Sequence, residues 1–290
     1  MVNGSASLAG KLCVVTGGTS GIGEATASLL ARRGADVVIV GRDAGRNDAA
    51  CRRISEARPA GSVRAIAADL SLQAEVRRLA EAILQSSPRV HVLVNNAGAM
   101  FSERKTTVEG IERTFALNVL APFLLTEQLG ERLKQSRPSR VVNVSSDAHR
   151  RGHVAFDDLQ FANSFSPYRA YCTTKLELLL LTKAFARRFD GSGVVVNAAN
   201  PGRVDTAFGQ GNQGLMPLIL RTVQRVLGVP PAQAARTVLY VASAPDLADR
   251  SGLYASRERL ADSSEESNDV PSAERLWTAC AGLTGVSGSA

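Results

Sequence analysis

The chain has 290 residues, 44% hydrophobic and 21% charged, which suits one large α/β domain with a full core. Its net charge of +7 is spread over single and paired arginines such as Arg32-Arg33, Arg52-Arg53 and Arg187-Arg188, and only 5% of residues are aromatic, so the basic stripes and stacking platforms of a nucleic-acid-binding protein are missing. The four cysteines (Cys13, Cys51, Cys172, Cys280) form no CxxC and stand near no histidine cluster, which argues against a disulfide framework or a metal site and for a reducing, cytoplasmic setting.

Residues 1–10 lack a basic segment followed by an apolar core, so no signal peptide is expected. No apolar stretch approaches the ~20 residues of a membrane span. From residue 11 onward, short apolar runs recur at Leu12–Val15, Val37–Val40, Val63–Ala67, Val90–Val94, Val141–Val144 and Val194–Ala198. They are continuous rather than alternating, which is how strands buried on both faces of a parallel sheet read. Segments with helical spacing lie between them, among them Glu24–Arg33, Gln73–Gln85 and Glu109–Lys134. The pattern predicts a single-domain, Rossmann-type α/β fold: a doubly wound parallel sheet with helices on both faces.

The first expected strand runs into Thr16-Gly17-Gly18-Thr19-Ser20-Gly21-Ile22-Gly23 and then a helix. Glycines there permit a tight turn and close approach of a pyrophosphate to backbone N–H groups at a helix N-terminus. Gly17, Thr19, Ser20, Gly21, Ile22 and Gly23 are therefore candidate cofactor-binding residues. The second strand ends at Gly41-Arg42-Asp43. An acidic residue at that tip would bind the ribose hydroxyls of NAD, whereas Arg42 can pair with a 2′-phosphate, which favours NADP(H). Asp43 reads either as a ribose ligand or as the N-cap of the next helix.

Three stretches break the rhythm: 147–167, 203–217 and 256–274. The second opens a candidate substrate lid near 203–229, whose apolar residues (Leu215, Met216, Leu218, Ile219, Val223) fit a cover over an apolar ligand and a core-packing helix equally well. The third reads as a surface excursion that opens a C-terminal extension, 256–290, with an amphipathic stretch around Leu276 and Trp277 and a frayed end at 285–290. His149 and His153, in the first stretch, read as solvent-exposed loop histidines.

Tyr171-Cys172-Thr173-Thr174-Lys175 puts a phenol and an amine one turn apart on one helix face. A nearby ammonium favours the phenolate, which predicts a lowered Tyr171 pKa suited to acid/base work. Cys172 reads as a small buried hydrophobe. The helix continues apolar nearly all round, through Leu176, Leu178, Leu179, Leu180, Leu181, Ala184 and Phe185, so either the core or a second subunit must cover it.

These motifs together resemble the short-chain dehydrogenase/reductase family over nearly the whole chain. Thr16–Gly23 resembles its glycine motif, and Asp69-Leu70 its adenine-contacting pair. Asn95-Asn96-Ala97-Gly98 resembles its NNAG motif, contributing Asn95, Ala97 and Gly98. Asn143-Val144-Ser145-Ser146 resembles the motif whose second serine is catalytic, and neighbouring strand residues point to opposite faces, so Ser146 rather than Ser145 should face the nicotinamide. Pro201-Gly202, with Val204 and Thr206, is similar to the loop that holds the carboxamide. The resemblance implies a catalytic set of Asn118, Ser146, Tyr171 and Lys175, with Tyr171 and Lys175 also touching the cofactor.

The long connection 147–170, with Asp147-Ala148-His149 and Asp157-Asp158-Leu159-Gln160, resembles the retinol-dehydrogenase-like and WW-domain oxidoreductase-like branch. That branch implies an NADP(H)-dependent ketoreductase or alcohol dehydrogenase for a hydrophobic, even polycyclic, substrate, and a homo-oligomer, dimer or tetramer. Many animal members carry an N-terminal membrane anchor, and none is expected here. A redox-neutral epimerase, dehydratase or cyclase on the same scaffold, or a non-catalytic NADP(H)-sensing protein, stays open at this point, because a fold does not fix a function.

Overall fold

A computed structural model describes residues 7–57, 59–202 and 229–286. Six parallel strands come first: β1 (Leu12–Thr16), β2 (Asp36–Gly41), β3 (Val63–Ala67), β4 (Val92–Asn95), β5 (Ser139–Val144) and β6 (Val194–Asn200). Two short strands, β7 (Tyr254–Ser256) and the antiparallel β8 (Arg259–Leu260), complete a sheet of order β3-β2-β1-β4-β5-β6-β7-β8. The winding reverses between β1 and β4. That is the switch point outside whose carboxyl ends such sheets bind ligands.

Both faces of the sheet are buried, and strand alternation divides them. Val14, Val38 and Val40 point into a core with helices α3 (Gln73–Ser86), α5 (Ala121–Gln135) and α6 (Pro167–Arg188). Cys13, Val15, Val37 and Ile39 point the other way, into a core with α1 (Gly21–Arg32), α2 (Ala44–Glu56) and α7 (Pro231–Ser243). That is why the strands read as continuous apolar runs: each successive side chain has a core to enter.

The helix expected over Glu109–Lys134 starts later and is irregular. Gly110 has φ of 78° and closes a turn between Thr107 and Ile111. Glu112 then caps the short helix α4 (Arg113–Phe115), its carboxylate accepting from the Phe115 N–H and the Thr114 hydroxyl, both at 2.9 Å. A π-helical turn, Ala116–Leu120, follows and leads into α5. Apolar residues continue through the turn and conceal both interruptions from a periodicity reading.

The C-terminal extension is more integrated than a surface excursion. After β8 a 3₁₀ turn, Glu266–Asn268, buries Ser267, and helix α8 (Val270–Thr284) lies against α6. Trp277 of α8 meets Phe123 edge-on at 4.9 Å and Phe185 at 4.7 Å. The Arg188 guanidinium lies 3.8 Å over the Trp277 ring, and Arg187 and Arg188 both pair with Glu274. The apolar α6 is thus covered within the chain, without help from a second subunit. Gly285, expected to fray, adopts φ of 62° as the left-handed C-cap of α8, which glycine allows without strain. No helix among the described residues is long and apolar enough to cross a membrane.

Candidate active site

The glycine loop joins β1 to α1. A Cβ on Gly23 would stand 2.1 Å from the Gly17 carbonyl oxygen, and Gly17 itself has φ of 65°. Only glycines allow the loop to fold against the first turn of α1 at this point. Ser20 precedes that helix without capping it through its side chain, so the N–H groups at the start of the helix, beside Thr19, Gly21 and Ile22, lack that partner. This cradle fits the pyrophosphate of a dinucleotide.

Two residues outside the predicted set hold the cradle. The Thr16 hydroxyl accepts from the Asn96 and Ala97 N–H groups at 2.9 and 3.0 Å, and Asn96 Nδ2 donates to the Thr16 carbonyl oxygen at 2.8 Å. They clamp the end of β1 to the end of β4. The signal in the sequence was the doubled asparagine after the fourth strand. Asn95, by contrast, turns its side chain into the core, donating to Thr126 and Asn143.

At the tip of β2, a Cβ on Gly41 would come within 2.5 Å of both Asn47 Oδ1 and Thr19 Cγ2. An acidic side chain there would have to displace the Asn47 and Thr19 side chains. Arg42 next to it is exposed, and Asp43 caps α2 by accepting from the Arg46 N–H at 2.7 Å. Asp69 accepts from the Ser71 N–H and hydroxyl, shaping the turn after β3, with Leu70 buried behind it.

The predicted catalytic residues converge. Asn118 lies in the π-helical turn, where its amide is fixed by the Ala99 N–H and carbonyl oxygen, each at 2.9 Å, and by the Thr174 hydroxyl at 3.1 Å. Lys175 Nζ donates to the Val144 carbonyl oxygen at 2.8 Å and stands 5.7 Å from the centre of the Tyr171 ring. A Cβ on Gly98 would meet Asn118 Oδ1 at 3.2 Å and Lys175 Nζ at 3.4 Å, so the three residues share one space. The Ser146 side chain stands beside Tyr171 and acts to lower the phenol's pKa. The two serines divide as the strand geometry predicts: Ser145 is buried and donates to the Lys175 carbonyl oxygen, whereas the Ser146 hydroxyl faces Tyr171. Pro201 and Gly202 follow β6, with the Gly202 N–H held by Asn200 Oδ1 at 3.0 Å. Val204, Thr206 and the lid at 203–228 lie outside the described residues.

The electrostatics differ from the sequence expectation. Burial pushes the Tyr171 phenol up to about 12, against the opposing hydrogen bond with Ser146, and pushes the Lys175 ammonium down to about 8. The Lys175 ammonium donates to the Val144 carbonyl oxygen, and at Tyr171 desolvation outweighs the lowering by Ser146, with Cys172 and Tyr168 adding to the rise. His149 also departs from expectation. It is fully buried, with Nδ1 2.7 Å from the Ser146 carbonyl oxygen and Nε2 accepting from the Ser264 N–H at 3.0 Å. A loop histidine reads as solvated when its partner lies far away in sequence. His153 is exposed, as expected, and Cys172 is buried.

A sheet wound about this switch point, with a glycine cradle and a lysine–tyrosine–serine cluster at its carboxyl edge, defines a nicotinamide-dependent oxidoreductase. Residues 11–213 match the short chain dehydrogenase family, and the chain belongs to that family, in its retinol-dehydrogenase-like branch. It is 39% identical over 286 residues to retinol dehydrogenase 13 of Homo sapiens, covering 97% of this chain and 86% of that protein. It is 39% identical over 277 residues to retinol dehydrogenase 12 of Mus musculus, covering 96% and 87%. Among solved structures, an uncharacterized protein from Mycobacterium paratuberculosis superposes with a TM-score of 0.77 at 32% identity, covering 97% of this chain and 96% of that one. The NADP active-site complex of RhlG from Pseudomonas aeruginosa gives 0.69 at 30% identity, covering 86% and 95%.

Proposed function

We propose that this chain is an NADP(H)-dependent oxidoreductase that interconverts a hydrophobic carbonyl compound and its alcohol, with Tyr171 as general acid/base. The observation that carries the reading is the convergence of Asn118, Ser146, Tyr171 and Lys175 on one space at the carboxyl edge of β4 and β5. The crowded Gly41 tip and the exposed Arg42 support NADP(H) over NAD(H), since a guanidinium stands beside that tip while the neighbouring Asp43 carboxylate accepts from the Arg46 N–H at the start of α2. A solved relative at 30% identity is an NADP complex.

Bound NADP(H) supplies or accepts the hydride. Gly17, Thr19, Ser20, Gly21, Ile22 and Gly23 would hold its pyrophosphate, Arg42 its 2′-phosphate and Asp69-Leu70 its adenine. Ala97, Gly98, Tyr171 and Lys175, with Asn95 through its backbone, would line the ribose and nicotinamide, and Pro201, Gly202, Val204 and Thr206 the carboxamide. In reduction, the Tyr171 phenol, protonated at neutral pH, donates its proton to the carbonyl oxygen as charge develops there. The Ser146 hydroxyl donates a hydrogen bond to the same oxygen. Lys175, positively charged below about 8, stabilises the phenolate left behind, and Asn118 fixes the wall beside it. Oxidation of the alcohol uses the same groups in reverse.

The substrate class rests on the retinol dehydrogenases among the relatives and on the apolar lid residues. All-trans-retinaldehyde and decanal are therefore the first substrates to assay, each with NADPH and with NADH. Cofactor consumption with neither aldehyde, against tight NADPH binding, would favour the sensing alternative. Epimerase or dehydratase chemistry would appear as product formed without net NADPH consumption. A cytoplasmic setting belongs to the same reading. So does a dimer or tetramer, for which the family resemblance now stands alone, since α8 covers the apolar α6.

A further inference from the structure

The connection after β5 is tied to the C-terminal extension through one buried imidazole. The Ser146 carbonyl oxygen receives two contacts from His149, one from its backbone N–H at 3.1 Å and one from ring Nδ1 at 2.7 Å. The other ring nitrogen, Nε2, faces the backbone N–H of Ser264 at 3.0 Å. A backbone amide only donates and a carbonyl only accepts, so the partners dictate the tautomer: Nδ1 carries the proton and Nε2 is bare. The ring is fully buried and stacks edge-on to Tyr254 at 5.2 Å, whose hydroxyl donates to Asp147 Oδ1 at 2.9 Å. Residues 146–149 are thereby pinned to β7 and to the segment beyond β8 at several points.

This pinning acts on the Ser146 side chain. Ser146 is the extended residue that opens the 3₁₀ turn Asp147–Arg151, and its Oγ accepts from the Ala148 N–H at 3.2 Å. With that lone pair engaged, the hydroxyl hydrogen is left to point out of the turn, towards Tyr171 and a substrate oxygen. Loss of the imidazole bond would let the Ser146 peptide rotate and carry the hydroxyl with it. We propose that His149, as the Nδ1–H tautomer held by the Ser264 amide, is a positioning residue for the Ser146 hydroxyl, which makes the C-terminal extension part of the apparatus that aims the catalytic serine. This rests on the reading of Ser146 as the carbonyl's hydrogen-bond donor.

The tautomer also sets a pH dependence. A protonated ring would turn a second N–H towards the Ser264 N–H, donor against donor. Burial holds the His149 pKa down, against the Ser146 carbonyl and Asp147, while Arg150 and Lys183 add to the lowering. The neutral ring is thus the resting form, and mild acid opposes it.

The test compares His149→Asn, His149→Gln and His149→Ala with the wild type, using NADPH and decanal. The asparagine amide reaches the place of Nδ1 and restores the donor to Ser146. The glutamine oxygen reaches the place of Nε2 and restores only the acceptor for Ser264. The Gln and Ala variants are expected to lose about tenfold or more in kcat with KM values within about threefold, because the misplaced hydroxyl acts only in the transition state. His149→Asn recovers most of that rate and loses the acid limb of the pH profile. Equal kcat in Asn and Gln variants, tracking only their melting temperatures, overturns the proposal. Ser146→Ala, run in parallel, tests the underlying reading separately: unchanged turnover there removes the serine's role and the proposal with it. Nitrogen-15 spectra of the three histidines give a measure independent of activity. An Nδ1–H signal for His149 in the folded enzyme is expected, and an Nε2–H signal overturns the assignment.

Discussion

Lys175 Nζ donates to the Val144 carbonyl oxygen at 2.8 Å, joining the last residue of β5 to the Tyr171 face of α6. Burial at this spot lowers the lysine to about 8. Because the charged form is the one that supports the phenolate, reduction should be steady below that pH and decline above it. The kcat/KM for NADPH, which reports ionisations of the free enzyme, is the measurement. Lys175→Met should give a low rate without that alkaline limb. A wild-type profile still flat well above pH 8 would remove Lys175 from this role.

Tyr171→Phe removes the proposed proton donor while keeping the ring's packing. Turnover should fall by roughly 10²–10⁴-fold, with NADPH binding and melting temperature near those of the wild type. The buried phenol, held up at about 12, adds a directional expectation. Alcohol oxidation, which begins from the phenolate, should accelerate with rising pH while aldehyde reduction does not. Near-normal reduction by the Phe variant would end the assignment.

Local pattern carried the parts of this molecule that are local. The valine runs, the glycine loop and the Tyr171–Lys175 turn all sit within a few residues of one another, so their strands, cradle and shared helix face were legible before any fold was known. Contacts across the sheet were not. Thr16 and Asn96 lie 80 positions apart and meet only because β1 and β4 are neighbours at the switch point. His149 and Ser264 are 115 apart, and nothing near His149 in sequence signals a buried imidazole. The Tyr171 pKa differs from the expectation for the same reason: spacing shows the neighbouring lysine, while burial depends on the whole core.

Arg42 supplies a cation at the tip of β2, where an acidic residue in place of Gly41 would have to displace Asn47 and Thr19. Arg42→Ala should raise the Kd for NADPH about tenfold or more, the scale of a lost charge-assisted contact, and leave NADH unchanged. Cofactor fluorescence titrations read both. Equal losses for the two cofactors would mean that Arg42 supports the loop rather than the phosphate. Gly41→Asp should fail as a simple switch to NADH, since its Cβ would collide with Asn47 and Thr19.

Trp277 seals α6 from solvent through its contacts with Phe123, Phe185 and Arg188. Trp277→Ala should cost about 3–5 kcal/mol in stability, the usual range for removing a large buried aromatic. It should also expose apolar surface, read as self-association in size-exclusion chromatography. A variant that stays as stable and as monodisperse as the wild type would show that α8 is dispensable for covering α6.

Glu177 is the least expected residue of α6. It is fully buried two positions after Lys175, and neither carboxylate oxygen has a hydrogen-bond partner among the described residues. Burial, with Glu112 nearby, raises its pKa from 4.5 to about 8. A carboxyl group held protonated in the fold and ionised in the unfolded chain stabilises the fold most below its unfolded value, and that stability is lost as pH rises through the folded value. Melting temperature should therefore decline from mildly acidic to mildly alkaline pH. Glu177→Gln, which cannot ionise, should flatten that decline and exceed the wild type on the alkaline side, even with its amide imperfectly paired. The difference between the two pH profiles isolates this one group from every other titrating residue. Parallel profiles would show that Glu177 finds a partner in solution and carries no such penalty.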